Sequence, residues 1–214
     1  IYPHVRRFIN SLVKRIKYEI KRQTRPHSQG FLREVLSYIY EVLHRVHRCA
    51  GRRYESVRAK ADALKFKGLA LKIRGYYAKA FELFKEAIGT ITQYLEELQN
   101  TNENVRIREP TLINDLLYLA ALKCETLGQI HLYKGDVRSA IVLFETASVH
   151  YNLAGDKTSS LWTQGFAYAL RGLLELSEGD VDKALSEIHR VTKRYANISV
   201  PYSSAAFELV LAFP

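Results

Sequence analysis

Two histidines and a cysteine, His44, His47 and Cys49, form the densest group of metal-ligating side-chain types in this chain of 214 residues. His44 and His47 are three residues apart and would share one face of a helix. A structural zinc site needs four ligands, and a catalytic one needs three and a water. Because no acidic residue or second cysteine stands at a matching spacing, the pattern favours surface histidines on a basic helix. We expect no bound metal and no cofactor.

A second candidate is the pair Arg22 and His27, which are separated by four residues. This spacing resembles the short motif of the HEPN-type ribonucleases, which are all-α bundles, and implies a helical nuclease as an alternative function. That motif needs both side chains on one rigid helix, whereas Pro26 interrupts this stretch. The sequence contains no GxxxxGK, GxGxxG, GxSxG or HExxH motif. We therefore expect a protein that is not an enzyme.

The elements that position these side chains are predicted to be helices. Apolar residues recur every three or four positions, which is the period of an amphipathic helix. The first such stripe consists of Val5, Phe8, Ile9, Leu12, Val13, Ile16 and Ile20. Pro26 and Gly30 are expected to end that pattern, and a second helix is predicted to run to about Gly51. No alternating strand pattern occurs, and the polar stretch 99–110 predicts a loop, so the sequence indicates an all-α fold of antiparallel helical hairpins.

Three segments of the chain repeat a pattern of small residues. A glycine is followed seven positions later by a second glycine, and five positions after that by an alanine. The three sets are Gly68, Gly75 and Ala80; Gly128, Gly135 and Ala140; and Gly172, Gly179 and Ala184. A glycine and an alanine on facing helices permit a close crossing, and the glycine between them can end the first helix in a left-handed conformation.

Further residues of the repeated pattern predict the ends and the interior of each hairpin. Asp136 and Asp180 follow the turn glycines and are expected to cap the second helix of their hairpins. Phe84 and Phe144 are expected to fill the space between the paired helices and the following helix. Gly155 is expected to end the helix that begins after Asp136, which makes that helix about five turns long.

At these residues the chain resembles the tetratricopeptide repeat (TPR) family over roughly residues 54–196. It departs from that family in its period, because the glycines that open the units are 60 and 44 residues apart and the usual unit has about 34. Lys67 and Arg171 also stand where the family has a large apolar residue. The resemblance implies a TPR-like array with long helices at 54–214, packed as one unit and preceded by a basic helical hairpin at 1–53.

The resemblance also implies a groove, lined by the first helices of the units, that receives a peptide or a helix from a partner. The groove candidates are Lys65, Leu69, Lys72, Glu125, Gln129, Tyr133, Phe166 and Leu173. Leu69 stands where the family's carboxylate clamp has an asparagine, so we do not expect that mode of recognition. If the long helices close the groove instead, Tyr133 and Phe166 belong to the core.

The positive charge of the chain is concentrated at its N-terminal end. Residues 1–60 contain 15 Lys and Arg against 4 Glu, a net +11, whereas the whole chain has a net +10. The basic face predicted for the first helix consists of Arg6, Arg7, Lys14, Arg15, Lys17, Lys21 and Arg22. Such a face suits nucleic acid or another polyanion, although it is equally compatible with a solvated surface. A membrane partner is less expected, because such faces are richer in Trp and Phe.

Composition limits the class of protein. With 47% apolar and 25% charged residues, we expect a soluble globular protein, and we expect no secretory leader and no membrane span. The two cysteines form no CxxC pair, which favours the reducing cytoplasm. The chain begins at Ile1 and contains no methionine, so we expect residues before it.

The sequence as a whole predicts a non-enzymatic scaffold that binds a protein or peptide through its helical array. The alternative is a nucleic-acid-binding protein that uses residues 1–60. The apolar segment 203–214 is expected either to pack back on the third repeat or to form a homodimer contact.

Overall fold

The computed structural model of the chain describes residues 2–100 and 109–195, apart from the side chains at 2, 3, 5, 6, 109, 188 and 191–195. The described residues form α-helices and no strand, which confirms the all-α prediction. The eight helices within them are α1 (Tyr2–Arg22), α2 (Pro26–Cys49), α3 (Arg53–Ile73), α4 (Tyr77–Asn100), α5 (Glu109–Tyr133), α6 (Val137–Leu153), α7 (Lys157–Ser177) and α8 (Val181–Tyr195). None of these described helices is long and apolar enough to cross a bilayer.

Helices α1 and α2 form the predicted N-terminal hairpin. Residues 23–25 connect them, and Pro26 begins α2, where its missing N–H costs no helical hydrogen bond. Gly30 does not break the pattern as expected, because it lies buried within the second turn of α2. A β-carbon on Gly30 would lie 3.7 Å from Cγ2 of Ile73. The glycine therefore serves close packing between α2 and α3.

The apolar stripe of α1 is covered along part of its width. Val13 and Ile16 are buried against Leu36 of α2, and Phe66 of α3 packs at the edge of the same cluster. Phe8 belongs to the predicted stripe but is 69% exposed. The apolar stripe of α1 is wider than the surface of α2 that covers it, so residues at the outer edge of the stripe remain exposed to solvent.

Three of the hairpin turns follow one pattern, as the repeated glycines predicted. Gly75, Gly135 and Gly179 have φ angles of 81°, 77° and 84°, in the left-handed region. At Gly135 the glycine N–H donates to the Leu132 carbonyl at 2.9 Å, and the next N–H donates to the His131 carbonyl at 2.9 Å. These bonds satisfy carbonyl groups that would otherwise end the helix without partners.

Aspartates begin the helices that follow three of the turns. Asp136 accepts a hydrogen bond from the Ser139 N–H at 3.1 Å, and Asp180 accepts one from the Lys183 N–H at 3.1 Å. Both predicted caps are therefore confirmed. Gly155 also ends α6 as predicted, with a φ of 83°. The sequence reasoning missed Asp156, which caps α7 in the same way through the Ser159 N–H at 3.0 Å.

The small residues of the repeat lie at close helix crossings. Ala80, Ala140 and Ala184 are buried. Phe84 and Phe144, which are completely buried, lie directly against the backbones of Gly68 and Gly128. A β-carbon on Gly128 would lie 3.1 Å from the nearest ring atom of Phe144. The corresponding side chain of the third repeat, Ile188, lies outside the described side chains.

The chain forms two compact units, and the boundary between them lies between Leu119 and Ala120. In the first unit, α3 packs against both α2 and α4. In the second, α7 packs against both α6 and α8, and the ring of Phe166 meets that of Phe144 edge to face at 4.8 Å. The expected boundary near residue 53 stays a prediction.

Two other sequence predictions fall partly or wholly outside the described residues. The predicted loop 99–110 is too long at each end, because α4 continues through its first two residues and α5 begins with its last two. The remainder of that loop, 101–108, lies outside the described residues, as does the apolar segment 203–214.

Candidate functional site

Lys65 lies at the centre of a group of charged and aromatic side chains on α3. Its ammonium group pairs with the carboxylate of Asp62, one turn earlier. The Lys65 Nζ atom also lies 5.1 Å from the ring centre of Phe66 and 5.9 Å from that of Tyr118 on α5. A cation at these distances is attracted by the negative face of a ring. The side chain is therefore held by one carboxylate and two aromatic rings.

Two of the rings form a stack beside this lysine. Tyr40 of α2 and Phe66 are parallel within 7°, with ring centres 5.5 Å apart. Lys17 of α1 places its Nζ atom 5.5 Å from the centre of each of these rings. Burial, and then the negative charge of Asp62, raise the pKa of Tyr40 to about 12. Tyr40 therefore remains a neutral phenol at physiological pH.

A second ion pair lies on the same side of α3. Arg58 Nε donates to Asp115 Oδ2 of α5 at 3.1 Å. Burial raises the pKa of the Asp115 carboxyl, and the positive charge of Arg58 opposes that rise. Burial is the largest single influence on the pKa of Arg58 and lowers it. The charges of Asp115, Tyr54 and Asp62, together with the hydrogen bond to Asp115, outweigh burial, so the net pKa is raised. Each ion of the pair therefore offsets part of the desolvation of the other.

We call this group the α3 cluster. Its members are Lys17, Tyr40, Arg58, Asp62, Lys65, Phe66, Asp115 and Tyr118. All of them belong to the first compact unit, and the charged members other than Lys17 are partly buried. Both carboxylates of the cluster are paired with cations.

The predicted groove residues of α3 lie close to this cluster along the helix. Lys65 is a member of it, and Leu69 and Lys72 are half-buried one and two turns further on. Sequence reasoning missed Arg58 and Asp62. Arg58 is four residues before Asp62, and Asp62 is three residues before Lys65, so all three share one helix face. No local signal predicts that Asp115 from α5 completes the group.

The predicted groove residues of the second unit have different surroundings. Glu125 is only 7% exposed and accepts a hydrogen bond from the Tyr151 hydroxyl at 2.6 Å. Phe166 is 5% exposed and lies in the core, which is the alternative that the sequence left open. Tyr133 is 76% exposed. Gln129 and Leu173 are half-buried.

The basic residues of α1 face solvent. The exposed side chains are those of Arg7, Lys14, Arg15, Lys17, Lys21 and Arg22. None of them forms an ion pair with a residue in the described ranges, although the Arg22 guanidinium lies 5.6 Å from the Tyr18 ring. Arg6 belongs to α1, but its side chain is outside the description. This face therefore presents uncompensated positive charge.

The candidate metal ligands and nuclease residues are dispersed. His44 Nδ1 lies 2.9 Å from the Ser56 carbonyl oxygen, His47 is buried, and Cys49 is exposed. Among the described residues, no three His, Cys, Asp or Glu side chains are close enough together to hold a metal ion. Arg22 ends α1, whereas His27 lies in the first turn of α2. The two side chains are therefore on separate helices.

Neither a family model nor a curated protein sequence matches the chain.

Proposed function

We propose that the protein is a non-enzymatic scaffold that binds a protein or peptide through a TPR-like helical array. The α3 cluster is the observation on which this proposal depends. It combines two partly buried ion pairs with stacked rings at the first helix of a hairpin, and its charges are compensated by neighbouring side chains. Such a surface suits recognition of a partner's side chains. A cytoplasmic location is part of the same proposal and rests on cysteine usage.

Assignment to a TPR-like class is supported by the hairpin geometry. In two hairpins a glycine of the first helix contacts a phenylalanine of the second, and a left-handed glycine connects the two helices. Consecutive helices pack on one another within each unit, as they do in helical repeat proteins. The longer spacing between units distinguishes this chain from regular TPR arrays.

The chemistry of α3 favours a partner segment with acidic and apolar side chains. A carboxylate from the partner can compete with Asp62 for Lys65, and Lys72 provides a second cation two turns further along the helix. Leu69 lies between these lysines and offers an apolar contact. We infer that a short acidic segment with an intervening apolar residue is the occupant.

The test is affinity purification from cell extract with a charge-matched control. Replacing Lys65 and Lys72 with Gln removes two cations from the first helix of the hairpin. Replacing Lys79 and Lys85 of α4 with Gln removes the same charge from exposed positions outside the cluster. Glutamine forms helices about as well as lysine, so folding should be unaffected in both.

We expect the wild-type chain and the α4 variant to retain one protein partner after nuclease treatment, and the α3 variant to lose it. A photo-crosslinking residue at position 69 should then label that partner. Equal retention by both variants, or loss of all captured protein after nuclease treatment, would contradict the proposal.

A second candidate function, binding of nucleic acid, is favoured by the exposed cations of α1. These side chains have no counterions among the described residues, so phosphate groups could pair with them without first displacing a carboxylate. Binding of this kind depends steeply on salt.

A further inference from the structure

The turn between α2 and α3 forms an open cleft with a cationic lining. Its volume is about 470 Å³, and the positive or protonatable side chains that line it are His44, Arg48, Arg53 and Lys60. Among the described residues that line it, none is acidic. A volume of this size lies within the usual range of small-molecule sites.

Arg48 is the most available cation of this cleft. Its side chain is exposed, and it makes no ion pair or ring contact with a residue in the described part of the chain. A guanidinium group with five donors binds phosphate oxygens in a bidentate manner. Arg48 can therefore engage an anion without losing an existing partner.

The other two cations have acidic neighbours outside the lining. Lys60 lies 3.9 Å from Glu86, at the limit of an ion pair, and its side chain is substantially exposed. Arg53 pairs more closely with Glu97. A doubly charged anion can therefore replace Glu86 as the partner of Lys60. Arg53 stays paired with Glu97 and contributes mainly by electrostatic attraction of the anion.

Backbone and side-chain contacts arrange the rest of the cleft. The Ser56 hydroxyl lies 3.0 Å from Nδ1 of His44, which fixes the imidazole ring against α3. The turn N–H groups of Gly51 and Arg52 donate to carbonyl oxygens at the end of α2, at 3.1 and 2.9 Å. The negative end of α2 is thus largely satisfied.

The positive end of the next helix lies at the same turn. No side-chain hydrogen bond caps α3 at Arg52, and the N-terminus of a helix favours negative charge. Residues 44–60 also contain six Lys and Arg but only one Glu. The helix end and the side chains therefore favour the same kind of ligand.

We propose that this cleft binds the phosphate group of a small phosphorylated molecule, with Arg48 as its principal contact and Lys60 and His44 beside it. The inference is independent of the α3 cluster and of the partner proposed for it. It differs from binding of nucleic acid by α1, because a recess of this size accommodates a compact anion and does not require a chain of phosphates.

The test is calorimetric titration of the intact chain with pyrophosphate at low salt. Two single variants are compared, each of which removes one positive charge from α2. Arg48→Gln removes the principal contact, and Arg45→Gln removes a 75% exposed side chain that pairs with Glu41 outside the cleft lining. Because both residues are exposed, circular dichroism and the melting temperature should be unchanged in both variants.

We expect wild-type protein and the Arg45→Gln variant to bind pyrophosphate with dissociation constants within twofold of each other. Binding to the Arg48→Gln variant should be at least about tenfold weaker, the effect of losing one charge-assisted hydrogen bond. Nuclear magnetic resonance should show the largest pyrophosphate-induced shifts at His44, Arg48 and Ser56.

Three results would overturn the proposal. The first is the absence of pyrophosphate binding at millimolar concentration. The second is an equal loss in both variants, which would indicate general attraction of polyanions. The third is binding of a single-stranded oligonucleotide without binding of pyrophosphate, with the shifts on α1, which would assign phosphate recognition to that helix.

Discussion

The ring of Phe84 lies so close to the backbone of Gly68 that a β-carbon on that glycine would be 2.5 Å from the Cε1 atom of the ring. Phe84 is completely buried, so its ring has little room to move. The same relationship joins Gly128 to Phe144 in the second unit, with a closest distance of 3.1 Å. In both hairpins the glycine thus sets how closely the first helix approaches the second.

Replacing Gly68 with alanine should destabilise the protein, because the Phe84 ring and the surrounding core must shift to admit the methyl group. We expect a loss of about 1–3 kcal/mol in the free energy of unfolding, as for other overpacked cores. Gly89 of α4 is the matched control, because no atom lies within 4 Å of a β-carbon there. Gly89→Ala should stabilise by about 0.5–1 kcal/mol. Urea unfolding of both variants measures the contrast, and equal effects would refute the close contact.

Replacing Ala140 with leucine tests the crossing in the second unit. Ala140 is completely buried beside Phe144 and Phe166, so the larger side chain should cost about 1–3 kcal/mol. On the same helix, Val142→Leu enlarges an exposed side chain and should be nearly neutral. Thermal unfolding distinguishes the two variants. A neutral Ala140→Leu variant would mean that α5 and α6 are not closely packed.

Removing the cap of α7 should weaken the second unit. Asp156 accepts hydrogen bonds from the Ser159 N–H at 3.0 Å and from the Ser159 hydroxyl at 2.7 Å. Asp156→Ala leaves this N–H without its partner and should cost about 1 kcal/mol. Asp156→Asn retains an acceptor and should recover most of the loss. The prediction fails if urea denaturation gives alanine and asparagine variants of equal stability.

The pH dependence of stability should include a contribution from Asp136. Hydrogen bonds from Ser139, and then from His131, lower the pKa of this carboxyl from 3.8 to about 2 in the folded state. Since the folded-state pKa lies below the unfolded one, the stabilisation is fully present above about pH 4. It is lost as the pH falls towards 2. Melting temperatures of the wild type and Asp136→Asn should therefore converge over this interval, and a constant difference would show that Asp136 makes no such contribution.

Nucleic-acid binding through α1 can be tested by neutralising four of its exposed cations. We choose Arg7, Lys14, Arg15 and Lys21 and replace each with Gln, leaving Lys17 in contact with its two rings. If duplex DNA is the ligand, the slope of log affinity against log salt should fall by up to about four units, because each phosphate contact contributes about 0.9. Fluorescence anisotropy measures this slope.

A charge-matched variant separates the effect of α1 from that of net charge. Its four replacements to Gln are at exposed lysines on other elements, Lys79, Lys85, Lys134 and Lys157. The salt slope of this variant should remain close to that of the wild type. Absence of any binding by wild-type protein at low salt would exclude this function.

Local features of the sequence were sufficient to predict most of the fold. The apolar period defined the helices, and the glycine–aspartate pair at 135–136 marked both a helix end and the next helix start. These features depend on hydrogen bonds within a few residues, so tertiary contacts were not needed to recognise them. Gly30 was misinterpreted because its neighbour Ile73 is 43 residues away in the sequence.

The candidate site depended much more on tertiary structure. Lys65 was recognised from its position on a first helix, but its ring contact with Tyr118 joins residues 53 positions apart. Glu125 and Phe166 were also predicted to line the groove from the first helices of their units. In the structure Glu125 accepts a hydrogen bond from Tyr151, and Phe166 packs in the core. Periodicity indicates which residues share a helix face, whereas the rotation and docking of each helix decide which face meets a neighbour and which meets solvent. The sequence by itself therefore determined the helices, their turns and their caps, whereas only tertiary packing decided that Lys17, Asp115 and Tyr118 join the charged residues of α3.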